Sequence, residues 1–174
     1  NGNPFTFSNT AFYSEFGNYD VKITLPENYR LMATGDIVNG EDEIAWLDSL
    51  AMVGDSLNSL RSKEFKKALK KLQKDLKNQL KKDTSQKSKK QKLKTIHFRQ
   101  SNVHDFAWFA DPNWIVQKGE LILEKSNQKV TLWSMYLPKN AKVWKSSIKY
   151  LHDSGYWYSK FYGDYPYNHI TAVD

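Results

Sequence analysis

The chain has 174 residues, 40% of them hydrophobic and 14% aromatic, enough for a packed core, which excludes a wholly disordered polypeptide. Cysteine is absent, which excludes disulfides, zinc ribbons and thiol catalysis. The net charge of +7 is local: Lys63 to Lys94 holds fourteen Lys against Glu64, Asp75 and Asp83, a net +11, so the remainder carries −4 and only the basic segment argues for an anionic partner.

No apolar run approaches the roughly twenty residues of a membrane span. The opening residues NGNPFTF are neither a charged start nor an apolar signal core. The missing initiator Met is expected of a processed or excised chain, and the residues leave the compartment open, with the periplasm or secretion favoured over others.

An aromatic lead with Phe5, Phe7, Phe12, Tyr13 and Phe16 gives way to clean alternation: Tyr19, Val21, Ile23 and Leu25 face one way, Asp20, Lys22 and Thr24 the other. That is the pattern of a half-buried strand. Pro26-Glu27-Asn28 supplies turn chemistry, so a hairpin into Tyr29 to Val38 is expected. Asn39-Gly40 ends it, and Glu41-Asp42-Glu43 places negative charge where a helix N-terminus favours it. Ile44, Leu47, Leu50 and Ala51 then share a helical face, with Gly54-Asp55 as a break. Leu57, Leu60, Phe65, Leu69, Leu72, Leu76 and Leu80 continue at helical spacing. This stripe needs a cover, supplied by the sheet, a helical hairpin or a second copy. Asp83 to Lys92 has no apolar residue and reads as a loop.

Strands resume at Lys94, where Ile96 and Phe98 alternate with Thr95, His97 and Arg99. Val103 to Ala110, inside SNVHDFAWFADP, is apolar on both faces, so a central strand is expected there, stopped by Asp111-Pro112. Trp114-Ile115-Val116 follows. Gly119 to Glu124 and Val130 to Leu137 read as a hairpin turning at Ser126-Asn127-Gln128. Asn140 is the expected N-cap of a last helix whose inner face is Val143 or Trp144, Ile148, Leu151, Tyr158 and Phe161, weakened by Gly155. Ile170 to Val173 starts another strand, and the chain stops within an element.

The four His, at 97, 104, 152 and 169, include no H-E-x-x-H arrangement and no pair at helical spacing, so a zinc site wholly within the chain is not expected. His104 and Asp105, adjacent in a strand, point to opposite faces and form no simple pair. Nucleophile-elbow and phosphate-loop signatures are missing. Between Lys66 and Lys94 there is neither an aromatic residue nor Arg, so a solvated insertion is expected ahead of a nucleic-acid or membrane-surface contact, or a contact with a protein partner or a second copy.

In order, EFGNYDVKITLPENYRLMATGDI (Glu15 to Ile37), SNVHDFAWFADPNW (Ser101 to Trp114) and YSKFYGDYPYNHITAVD (Tyr158 to Asp174) resemble the aminopeptidase-N family of zinc metallopeptidases. The resemblance covers about two thirds of the chain, the lysine-rich middle matching no functional motif of the family. The resemblance implies an α+β, mainly β fragment: an antiparallel saddle-like β sandwich, interrupted by a Lys-rich helical insertion and ending in a helix and one strand of a following catalytic domain. The implied divisions are 1–41 for the first β-domain strands, 42–93 for the insertion, 94–137 for the remaining β-domain strands and 138–174 for the catalytic-domain opening. It implies zinc and a peptide substrate in the parent enzyme. The family's G-x-M-E-N-type loop and H-E-x-x-H ligands match nothing here, so no catalytic, substrate-binding or metal residue is assigned. The alternative reading is a β-sandwich binding or scaffold module with a projecting helical insertion that recruits a partner.

Overall fold

The computed structural model describes residues 15–85 and 92–174, with side chains of 79–85 left aside. Phe5, Phe7, Phe12 and Tyr13 lie outside the described residues, as does most of the expected loop from Asp83 to Lys92. The elements are β1 (Gly17–Pro26), β2 (Arg30–Ala33), β3 (Asp36–Ile37), α1 (Glu41–Asn58), α2 (Ser62–Ser85), β4 (Leu93–Val103), β5 (Trp108–Asp111), β6 (Ile115–Ile122), β7 (Lys129–Tyr136), α3 (Ala141–Trp144), α4 (Ser147–Tyr162) and β8 (His169–Val173). The class is α+β, with sheets ordered β1-β4-β3, β2-β5 and β6-β7-β8. Pairing is antiparallel except between β7 and β8, which run parallel.

The alternation in β1 works as read: Val21 lies opposite Phe98 and Ile23 opposite Ile96, while Thr24 and Thr95 share a 2.8 Å hydroxyl contact on the wet face. The expected hairpin does not form. The turn closes, with Tyr29 N–H donating to Pro26 O at 3.0 Å, yet β1 pairs with β4 and β2 with β5. Leaving the first sheet lets β2 bury both faces, Leu31 and Ala33 against Leu25, Ile96 and Phe98, and Met32 against Leu47, Trp114 and Met135. β2, rather than the Val103 to Ala110 stretch, is therefore a strand buried on both faces.

Val103 to Ala110 is not one strand. Asn102 takes φ 60°, β4 ends at Val103, and β5 begins only at Trp108, on the margin of a two-stranded sheet. Trp108 and Phe109 remain 54% and 50% exposed, so the expected burial of both faces fails for want of cover. His104 and Asp105 sit in the connection between the two strands rather than within one.

The β6-β7-β8 sheet is covered on both sides. On its front face Val116, Trp133 and Met135 meet Leu47 and Ala51 of α1. On its back face Ile115 and Tyr136 meet Phe65 of α2 and Trp144 of α3, while Leu121, Val130 and Leu132 meet Ile148 and Leu151 of α4. The leucine stripe is thus covered within the chain through Leu72, by sheet and helices rather than by a second copy. Gly54 is not a break: α1 runs through it, because a Cβ there would fall 2.0 Å from Val116 O.

The last helix divides at Lys145-Ser146 into α3 and α4; Trp144, Ile148 and Leu151 of its expected inner face pack inward, but the rest of that face does not. Ser147, Gly155 and Ser159 are buried, whereas Val143, Tyr158 and Phe161 are exposed. The back face already carries Leu121 and Leu132, so α4 approaches through small residues; a Cβ on Gly155 would lie 2.7 Å from Leu121.

Candidate functional site

A cavity of about 400 Å³ opens between the front of the β6-β7-β8 sheet and the β2-β5 pair, within the size range of small-ligand sites. The three sequence blocks meet there. Met32 and Gly35 come from the first, Ala107 and Phe109 from the second, and Tyr167 and His169 from the third. The two-residue period of β8 turns His169, Thr171 and Val173 to this side together.

Each wall is tied to the next. Thr34 N–H donates to Ala107 O at 2.8 Å, and Ala107 N–H returns a bond to Thr34 Oγ1 at 3.1 Å, which extends the β2-β5 ladder by one residue. Gly35, at φ +96°, is the turn that frees a carbonyl; a Cβ there would sit 2.6 Å from Arg99 O. His169 Nε2 lies 2.9 Å from that Gly35 carbonyl and Nδ1 lies 3.2 Å from Thr171 Oγ1. Since a carbonyl only accepts, Nε2 carries a proton, and in the neutral ring Nδ1 accepts from the threonine hydroxyl. Tyr167 donates to Asn102 O at 2.7 Å, and Asn168 Nδ2 to Asp36 Oδ2 at 2.7 Å. Burial pushes the Tyr165 phenol up from its ordinary value, so it stays a neutral donor, bonded to His169 O at 3.1 Å.

The cavity wall contains no Asp, Glu, Lys or Arg among the described residues. A pocket of this kind holds an apolar or weakly polar group in a fixed orientation; it has no paired carboxylates for acid–base work.

The other histidines are dispersed. His97 Nε2 lies 2.5 Å from Asp20 Oδ1 on the outer face of the first sheet, and Arg99 grips Asp20 Oδ2 at 2.8 and 2.9 Å. Those bonds, from Arg99 first and His97 second, hold the Asp20 carboxyl below the ordinary range. The His104 ring lies tilted against Phe16 with ring centres 3.9 Å apart, and His152 sits beside Asp153 at 3.5 Å. No group of three His, Asp or Glu side chains able to hold a metal occurs among the described residues, so they do not fit a zinc ion.

Sequence reading missed His169 as a cavity residue, because only the parallel pairing of β8 with β7 brings it opposite Gly35. It also missed a second task for Glu43. The carboxylate completes the acidic start of α1 but is buried, with both oxygens 2.8 Å from Lys94 Nζ, whose ammonium lies 4.2 Å from the Trp46 ring centre. Burial raises the Glu43 pKa and Lys94 opposes that shift.

No family model matches the sequence. No curated protein matches it either. Among solved structures the chain is similar to a two-domain M1 zinc metallopeptidase, crystallised as a mutant bound to L-arginine, with a TM-score of 0.45 and 12% identity over 92% of this chain and 26% of that one. The chain spans about a quarter of that protein's length, and at this score no residue role passes from one to the other.

Proposed function

We propose that the chain is a non-catalytic portion of a zinc-dependent metallopeptidase of aminopeptidase type, in which it forms scaffold beside the peptide-binding cleft. The observation that carries this reading is convergence. The three stretches that resemble the family, far apart in sequence, surround one cavity and are joined across it by the Tyr167, Asn168 and His169 contacts. In this reading the cavity wall receives a substrate side chain, the zinc ligands come from outside these 174 residues, and the protein works in the periplasm or after secretion. The order of elements supports the same division of labour, with strands, a lysine-rich helical insertion, further strands and then a helix and strand.

The test is made on the full-length product that contains this chain. It is expected to hold zinc and to release amino acids from short peptides. Val173→Trp, which fills the cavity from β8, is expected to raise KM about ten-fold with zinc content unchanged, the size of a lost apolar contact of 1–2 kcal/mol. Absence of zinc from the full-length product, or unchanged KM and kcat in the variant, would remove this function.

A further inference from the structure

We infer that α2 is an electrostatic docking surface for a membrane rich in anionic lipid. Lys63, Lys67, Lys70, Lys74 and Lys77 stand in one line at three- and four-residue spacing, flanked by Lys66 and Lys71. At 3.6 residues per turn these seven fall within an arc of about 140°, and the line runs about 21 Å along the axis. All seven are exposed, and among the described residues none is engaged in an ion pair. Glu64 and Asp75 fall outside the arc, so its positive charge is uninterrupted.

The opposite face of α2 is already used. Phe65, Leu69 and Leu72 pack on Ile115, Tyr136 and Trp144, so as far as Leu72 the helix has no apolar face left to sink into acyl chains. Contact is therefore by charge alone, with lysines resting at headgroup level. A straight, one-sided row meets a plane along its whole length, whereas a helix laid across the outside of a duplex meets it over a short stretch. Lysine is also a compact, mobile charge without the planar fork that grips single phosphates, and the arc carries no aromatic ring on which a base would stack. The chain beyond the Lys63 to Lys94 segment carries −4, so a negative surface attracts one side of the molecule and repels the rest, which sets orientation as well as affinity.

The test is co-sedimentation of the 174-residue protein with phosphatidylcholine vesicles containing phosphatidylserine, beside pure phosphatidylcholine vesicles. Binding is expected only to the anionic vesicles and is expected to fall as salt rises. Replacing Lys63, Lys67, Lys70 and Lys74 together by Gln is expected to weaken it about 100-fold or more, since each Lys near an anionic surface contributes roughly five-fold. Removing the same charge elsewhere, with Lys22, Lys125, Lys139 and Lys142 changed to Gln, is expected to weaken it less than about five-fold. Both sets are solvent-exposed, and both variants are expected to keep the parent unfolding midpoint. Equal binding to neutral vesicles, no binding to either, equal losses in the two variants, or tighter binding to a short DNA duplex than to the anionic vesicles would each overturn the inference.

Discussion

β5 and β7 are similar in composition and opposite in fate. WFAD and KVTLWSMY are both apolar on two sides, yet six of the eight residues of β7 are buried while Trp108 and Phe109 of β5 stand half exposed. β7 has a partner strand along each edge, α1 over one face and α2, α3 and α4 over the other. β5 has β2 on one edge and a cavity under part of its face. Apolar pattern states what a strand is able to bury; the number of neighbours decides what it does bury.

The comparison is broken most directly by truncation. Leu132→Ala in β7 is expected to cost about 3–4 kcal/mol, because it empties a site closed by α4, whereas Trp108→Ala in β5 is expected to cost less than about 1 kcal/mol. Urea unfolding of the two variants reads both values, and similar losses would show that β5 is covered in solution. Glu43→Ala follows in size. It leaves the Lys94 ammonium, 15% exposed, without its carboxylate, and a loss of about 2–3 kcal/mol is expected by the same measurement. Glu43→Leu combined with Lys94→Met is expected to restore most of it, which separates the cost of an orphaned charge from the worth of the pair.

Ser147→Ala tests the back face of β7 more finely. Ser147 Oγ lies 2.6 Å from Ser134 Oγ and 3.4 Å from Gln117 Oε1, all three residues being buried. Its removal is expected to cost about 1 kcal/mol through the partners it leaves unsatisfied. The smallest effect belongs to Asp20 on the exposed sheet face. Its pKa is lowered in the fold, so the stabilisation it gives is present above the ordinary carboxylate value and is lost as pH falls through the folded value. The parent protein is therefore expected to lose more stability than Asp20→Asn between neutral pH and the acid end of the carboxylate range. Parallel unfolding midpoints for the two proteins across that range would show that the cluster with His97 and Arg99 contributes nothing.

The amino-acid sequence by itself determined most of the local structure. The alternation of β1 and β4, the acidic start of α1, the leucine spacing of α2 and the Ser126-Asn127-Gln128 turn each depend on residues close together along the chain. The turn forms as read, with Asn127 at φ 56° and Leu123 N–H donating to Gln128 O. Tertiary structure decided the rest. Whether β1 pairs with β2 or β4, how far the inner face of α4 extends, and that β2 rather than β5 is buried on both sides depend on space left by elements distant along the chain, 86 residues apart for Gly17 and Val103. The cavity belongs to the same class. His169 and Gly35 are 134 positions apart, and their contact exists only because β8 joins the edge of β7 in parallel. Periodicity records what a segment exposes to its surroundings, and close packing of distant segments, which has no signature in either segment alone, supplies those surroundings.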